Sequence, residues 1–263
     1  MLPYEVRKKI VKSGKFIEIY EYGKPYWVGF PRLRRLRPAP KIQRDQEKIR
    51  ADNVNRTRKK IKRIVNSNPQ LNCFLTLTFA KEITELKQAN PIFNNFTKRM
   101  LNKYSNFEYL AVPEFQKRGR VHYHVACKFN LPEFKDKEDE REFERWFAKN
   151  LWRNGFIDVR PISNVKNIGS YISKYLGKEM FDKRFFRKKK FFYSKTLNMP
   201  EVYRKRREIK EFTDFFEPET MKPVFESDFY SKHTGDTTYK VYALEDINNI
   251  EELKGFLMPE DNP

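Results

Sequence analysis

The segment that most restricts the fold is Val121-His122-Tyr123-His124-Val125, two histidines one residue apart among β-branched and aromatic residues. That composition favours a strand. Side chains alternate across a strand, so His122 and His124 face the same way, about 7 Å apart along it. Upstream, Phe107-Glu108-Tyr109-Leu110-Ala111-Val112-Pro113-Glu114-Phe115 also reads as a strand, and Gln116-Lys117-Arg118-Gly119-Arg120 is a short polar turn with a glycine. Together they predict a β-hairpin that brings Glu114 beside His122 across the ladder. Two imidazoles and a carboxylate on one rigid face can hold a divalent ion and leave positions open for a substrate. A closed structural zinc site would want a fourth protein ligand, often cysteine. Taken alone, His-x-His also fits two half-buried strand histidines. The glutamate on the paired strand favours a metal site, with Glu114, His122 and His124 converging on one point.

The flanking sequence supplies a setting. Cys73 to Phe79 reads as a strand with Leu75, Leu77 and Phe79 on one face and Thr76 and Thr78 on the other. A helix is predicted over 90–104, a charged helix over 132–151 with Phe143, Trp146 and Phe147 on its buried side, and a strand over 156–159. Residues 167–176 have helical character, closed by Gly177 as a C-cap. Tyr171 and Tyr175 then share one helical face, with Lys174 near both. Two tyrosines of an amphipathic helix packed on a sheet would give the same pattern. A phenol of pKa about 10 is a poor nucleophile at neutral pH. A neighbouring lysine cation and a metal-polarised electrophile are what make attack by its oxygen feasible. Strands interleaved with helices around a central hairpin predict an α+β fold, an antiparallel sheet covered by helices on one face.

In order along the chain, Phe74-Leu75-Thr76-Leu77-Thr78-Phe79, then Glu114 with His122-Tyr123-His124, then Tyr171-Ile172-Ser173-Lys174-Tyr175 resemble the three motifs of the HUH endonucleases that initiate rolling-circle replication. The paired tyrosines with a lysine between them resemble the two-tyrosine branch, found in replication initiators of filamentous and microvirus-type phages. Residues 151–162 and 192–197 resemble segments that flank the tyrosine helix in that branch. The resemblance covers roughly residues 50 to 200. It implies the HUH endonuclease fold, with a central antiparallel sheet, the histidine strand in its middle and tyrosine hydroxyls facing the metal. It implies Mg²⁺ or Mn²⁺ held by Glu114, His122 and His124, ions that accept phosphate oxygens readily. Tyr171 would attack first, since single-tyrosine relatives keep a tyrosine three residues before the lysine. Tyr175 would perform the second strand transfer, and Lys174 would stabilise phosphate charge or the phenolate. The partner would be single-stranded DNA at a replication origin, with a polymerase extending the freed 3′-hydroxyl. The chain carries no G-x-x-x-x-G-K-[ST] motif, so a host helicase would unwind the duplex. An HUH transposase or mobilisation relaxase shares this chemistry. From other classes, a non-catalytic single-stranded nucleic-acid-binding protein and, less well, a zinc hydrolase also accommodate the residues.

Charge agrees with a polyanion partner. Lys and Arg number 55 against 35 Asp and Glu, a net +20, which counterion release turns into affinity for phosphates. Residues 211–263 hold thirteen acidic and four basic side chains, so this segment carries −9 beside +29 elsewhere. No apolar run has spanning length and no signal peptide is evident, so no membrane partner is expected and the location is the cytoplasm of a bacterial host. Cys73 and Cys127 read as small core residues, not a disulfide, in keeping with a reducing compartment. Three parts are expected. Residues 1–45 form a β-element with a basic linker. Residues 46–200 form the endonuclease domain, led by a helix over 43–65 whose cationic face is set for phosphate contact. Residues 201–263 form an acidic, aromatic-rich segment. Lys183 to Tyr193 interleaves cations with aromatics, the composition of a single-strand groove or of an edge strand with one apolar face. His233 is expected at the surface. The acidic segment either lies beside the DNA groove, docked by Phe212, Phe215, Phe216, Phe225 and Phe229, or uses these rings to complete a core.

Overall fold

A computed structural model describes residues 2–30, 46–162, 169, 172, 183–185 and 188–244. These residues form ten strands in two antiparallel five-stranded sheets, together with four α-helices. The α+β architecture, with helices packed on an antiparallel sheet, is the one the HUH resemblance implies. The chain divides into two compact units, one made of residues 56–198, the other of residues 1–55 and 199–263.

The first unit carries the histidines. Its strands are β3 (Cys73–Phe79), β4 (Glu108–Phe115), β5 (Val121–Lys128), β6 (Gly155–Pro161) and β7 (Phe192–Tyr193), in the order β6-β3-β5-β4-β7. The hairpin β4–β5 forms as its sequence dictates, and β5 becomes the central strand. Period-two alternation sends Leu75, Leu77, Phe79, Tyr123, Val125, Cys127 and Val159 to one face. There they bury against Phe93, Phe96 and Met100 of α2 (Leu86–Lys103) and Phe147 of α3 (Lys137–Phe147). The ring of Phe93 stacks on Tyr123 at 4.3 Å and 12°, and Tyr123 donates its hydroxyl to Asn90 Oδ1 at 2.6 Å. Each such buried aromatic contributes roughly 2–3 kcal/mol. Cys73 and Cys127 oppose each other in the β3–β5 register, both buried and both free.

Three local outcomes differ from the sequence reading. The second helix starts at Leu86 and holds Pro91 in its interior. The proline reads as a first-turn residue, but Leu86 and Ala89 are buried with Phe93, so burial rewards the extra turn. The charged helix starts at Lys137, not 132, because Asp136 caps it, accepting from the Glu138 and Asp139 amides at 2.8 and 3.0 Å. It runs on into a π-turn over Ala148–Trp152 that ends at Arg153 in the left-handed region, φ 62°. Gly155 then has φ 148°, and a Cβ there would lie 2.3 Å from the Thr78 carbonyl oxygen. Only glycine lets β6 approach β3 at this point.

The second unit has the sheet order β8-β1-β2-β10-β9, built from β1 (Tyr4–Ser13), β2 (Phe16–Val28), β8 (Glu201–Tyr203), β9 (Phe225–Ser231) and β10 (Gly235–Ala243). The two ends of the chain, which read as separate segments from sequence, therefore share one sheet. The reason is register: β2 pairs with β1 on one side and with β10 on the other, and a partner roughly 200 residues away leaves no local signal. One face packs on α4 (Arg206–Phe216), where Phe212 and Phe216 meet Ile10, Ile17, Ile19 and Tyr242. Phe225 and Phe229 pack on a second cluster of Val11, Phe16, Tyr20, Tyr239 and Val241. Of the five phenylalanines expected to dock the acidic segment, Phe212, Phe216, Phe225 and Phe229 thus complete the core of their own unit, while Phe215 is 91% exposed. Among that second cluster lies the buried carboxylate of Glu18, whose Oε2 accepts from the hydroxyls of Tyr20 and Tyr239 at 2.9 and 3.0 Å. His233 is exposed, between β9 and β10. The basic linker and residues 245–263 lie outside the described residues.

Candidate functional site

The face of the first sheet opposite α2 carries the polar residues. Glu114 on β4 and Thr78 on β3 both oppose His122, and Val112 and Thr76 both oppose His124. A one-residue slip in either pairing would send both imidazoles to the apolar face, so the hydrophobic alternation of β3 and β5 fixes the site.

Each imidazole has a hydroxyl at its Nδ1. Thr76 Oγ1 is 3.3 Å from His124 Nδ1, and Thr78 Oγ1 is 3.5 Å from His122 Nδ1. A threonine hydroxyl that accepts from Nδ1–H holds the tautomer whose Nε2 lone pair is free for a ligand. The ring of Phe74 stacks on His124 at 5.7 Å and 12°. Both histidines are only 7% exposed. Burial depresses the His122 pKa, the charges of His124 and Arg120 lower it further, and Glu114 opposes them. His122 is therefore neutral at pH 7, the state a metal requires.

Glu114 opposes His122 in register, yet its carboxylate reaches diagonally to His124 Nε2 and makes a close contact there. His122 Nε2 is buried and has no hydrogen-bond partner. The three side chains share one face, but Glu114 is engaged with His124, and among the described residues no three His, Cys, Asp or Glu side chains are set around a single ion. A buried, unpartnered imidazole nitrogen costs desolvation energy, and a ligand on Nε2 would remove that cost. Two imidazoles and a carboxylate are donors of the kind a divalent transition-metal ion takes.

Tyr171, Lys174 and Tyr175 lie outside the described residues. Two neighbours are described, Gly169 and Ile172, both helical and buried. The Gly169 amide donates to Asn66 Oδ1 at 3.0 Å. Asn66 ends α1 (Gln46–Asn66), where Ile61, Ile64 and Val65 are buried while Arg56 and Lys60 stay exposed. Gly169 is thus held directly against the end of the basic helix.

Aromatic residues flank the site on both edge strands. Phe156 on β6 opposes Thr78, so Glu114, His122, Thr78 and Phe156 form one row across the sheet. Phe156 is 67% exposed, and it borders a depression whose charged lining is Arg141, Glu144, Arg145, Lys149 and Arg153. The sequence marks Phe156 only as a strand residue, since nothing local says which strands lie beside β3. On the other edge, β7 buries Phe192 in the core, while Phe191 and Tyr193 stack outside it at 5.5 Å. Lys60 Nζ lies 5.7 and 5.9 Å from those two rings. Within the 183–193 stretch only Phe192–Tyr193 is an edge strand, and Phe191 with Tyr193 presents an aromatic pair beneath a cation.

Residues 72–180 match the family model of the replication-associated protein ORF2 type. The match takes in β3, the histidine hairpin and the tyrosine segment, so this part of the chain is similar to replication-associated proteins. Among named relatives, the phasyl DNA replicon protein arp of Escherichia coli is 32% identical over 123 residues, 40% of this chain and 42% of that protein. The replication-associated protein ORF2 of Spiroplasma virus 4 is 30% identical over 134 residues, 44% of this chain and 41% of that protein. The chain spans about two-fifths of the length of these curated relatives. No solved structure matches it. Among the described residues, no helix is long and apolar enough to cross a membrane.

Proposed function

We propose that the chain is a rolling-circle replication initiator of the two-tyrosine HUH type, which nicks single-stranded origin DNA and later rejoins it. One observation carries this reading: His122, His124 and Glu114 share one sheet face, with His122 Nε2 buried and unpartnered, inside the segment similar to replication-associated proteins. His122 and His124 would hold Mg²⁺ or Mn²⁺ with Glu114, whose carboxylate would turn from His124 toward the ion. When bound, the ion polarises the scissile phosphodiester. Thr78 would accept from His122 Nδ1–H and leave its Nε2 lone pair for the ion, and Thr76 would do the same for His124 once Glu114 leaves its Nε2. The Tyr171 oxygen forms a bond to phosphorus as the bond from phosphorus to the 3′-oxygen breaks. The phenol loses its proton, and the departing oxygen gains one. The products are a 5′-phosphotyrosine and a free 3′-hydroxyl. Tyr175 would cut the regenerated junction in the same way, and the 3′-hydroxyl it frees would attack the Tyr171 phosphotyrosine and release the Tyr171 phenol, so each step exchanges one phosphodiester for another and closure needs no nucleotide cofactor. Lys174 stabilises the charge on phosphate or phenolate. A host helicase and polymerase would complete the system in the bacterial cytoplasm.

The test is intact-protein mass spectrometry after incubation with Mn²⁺ and single strands of the source replicon. The expected result is a covalent DNA adduct on Tyr171 that Tyr171→Phe abolishes, and normal nicking but impaired strand transfer in Tyr175→Phe. Tight binding without any cut or adduct would overturn the enzyme and leave a single-strand binder. A cut sequence at a transposon end or transfer origin would redirect the chemistry to a transposase or relaxase.

A further inference from the structure

Resting on the nicking reading, we propose that Arg120 is the phosphate clamp of the site, its Nε–H donating to the anion that lies against His122. The turn that closes the β4–β5 hairpin delivers Arg120 to this place. Gln116 N donates to Arg120 O at 2.9 Å, and β5 begins at the next residue. Alternation puts Arg120 on the side of His122, two residues on, and its charge acts on that imidazole.

Two buried orphan nitrogens therefore belong to residues two apart on one side of the strand. Arg120 Nε and His122 Nε2 are both shielded from solvent, and neither has a hydrogen-bond partner. Buried polar atoms are nearly always satisfied, and an unsatisfied charged donor is costly. Among the described residues no carboxylate pairs with the Arg120 guanidinium, whereas Arg145, Arg160 and Arg207 all hold one. The neighbouring carboxylate, Glu114, is taken by His124. A donor and an imidazole nitrogen left open on one side of the strand fit a ligand carrying both an acceptor oxygen and a positive centre. A phosphodiester with a divalent cation is such a pair, and guanidinium is suited to phosphate oxygens. Lysine, a point charge with no planar fork, would hold the phosphate less firmly.

The experiment is a ¹H–¹⁵N titration of arginine Nε–H resonances in the full chain. Orthophosphate is added first, then a twelve-residue oligothymidylate, each with and without Mg²⁺. One Nε–H resonance, missing in Arg120→Lys, is expected to shift with both ligands. Nicking by Arg120→Lys with Mn²⁺ is expected to slow by about ten- to hundredfold, with oligothymidylate affinity changed far less, since many other cations hold the backbone. An Arg120 resonance that moves with neither ligand overturns the proposal, as does an Arg120→Lys protein that nicks at the unaltered rate. A responsive Arg120 in a protein that never cuts DNA keeps the phosphate site and retires the nicking reading. A silent Arg120 in a protein that does cut retires the clamp alone.

Discussion

Gly169 offers a stringent test of how closely the chain two residues before Tyr171 is seated on α1. A Cβ at this position would lie 2.4 Å from Asn66 Oδ1 and 2.8 Å from the Lys62 carbonyl oxygen. The side-chain amide can rotate away, but the carbonyl belongs to the backbone of α1. Ordinary contact begins at 3.4 Å, so Gly169→Ala must push the segment off α1 by about 0.6 Å. Overpacking of this kind costs about 1–3 kcal/mol, and the better helix propensity of alanine returns about 1 kcal/mol. The net loss is about 0–2 kcal/mol, which is about 0–8 °C in Tm for a unit of this size. The effect on chemistry should be larger in proportion. A misplacement near 1 Å can cost about a hundredfold in rate, and position 169 is two residues from Tyr171. Nicking with Mn²⁺ should fall by tens of fold while the protein remains folded by thermal scan. Adding Asn66→Ala removes the 2.4 Å clash but not the backbone one, so rescue should be partial. Wild-type Tm together with wild-type nicking in Gly169→Ala would refute the close seating of Gly169 on α1.

His124→Ala should abolish nicking yet leave single-stranded DNA affinity within a few-fold, because phosphate contacts supply most of the binding; a mobility-shift assay beside a cleavage assay reads both. Phe156→Ala should weaken oligothymidylate binding by about 1–3 kcal/mol if a base stacks on it, with Phe156→Trp restoring affinity; fluorescence anisotropy that finds the three proteins alike would remove Phe156 from the DNA path. Burial, followed by Asp158 and Glu140, raises the Glu144 pKa above its ordinary 4.5, while its carboxylate accepts from the Val159 amide at 2.9 Å. A raised carboxylate pKa means the folded state binds protons more readily, so wild-type stability falls as pH rises from 4.5 through the folded pKa. Glu144→Gln keeps the acceptor without the charge. It should melt slightly higher than wild type at about pH 7, with the difference closing toward about pH 4, and a lower Tm at neutral pH would contradict this.

The legibility of the molecule follows sequence separation. The hairpin Glu108 to Lys128 is local, so its alternation is sufficient to place His122 and His124 on one face with Glu114 opposite. Thr76 and Thr78 fall on the polar face of their strand by pattern alone, but only the β3–β5 register shows that they stand at the imidazole Nδ1 atoms. The diagonal reach of Glu114 to His124 depends on rotamers that a strand pattern does not encode. Arg120 and Phe156 carry no signal for the same reason: an arginine in a turn and a phenylalanine in a strand acquire meaning from neighbours on other strands. Gly169 reads as an ordinary interruption in a helical stretch until Asn66 and Lys62 are seen against it.

The sheet shared by the chain's two ends also sets an order of assembly during translation. Residues 56–198 are contiguous and can fold once they have emerged, whereas β2 must wait for β10. At about 5–20 residues per second, the roughly 200 residues between them take about 10–40 s to synthesise. For that interval the β1–β2 hairpin leaves the ribosome with an open edge bearing Ile17, Ile19 and Tyr20, the kind of edge that pairs with other nascent chains. Messages cut short before β10 would yield a folded histidine-bearing unit trailing an adhesive hairpin. Solubility in the cell should therefore depend on the last strands of the chain far more than on the strands that surround the histidines.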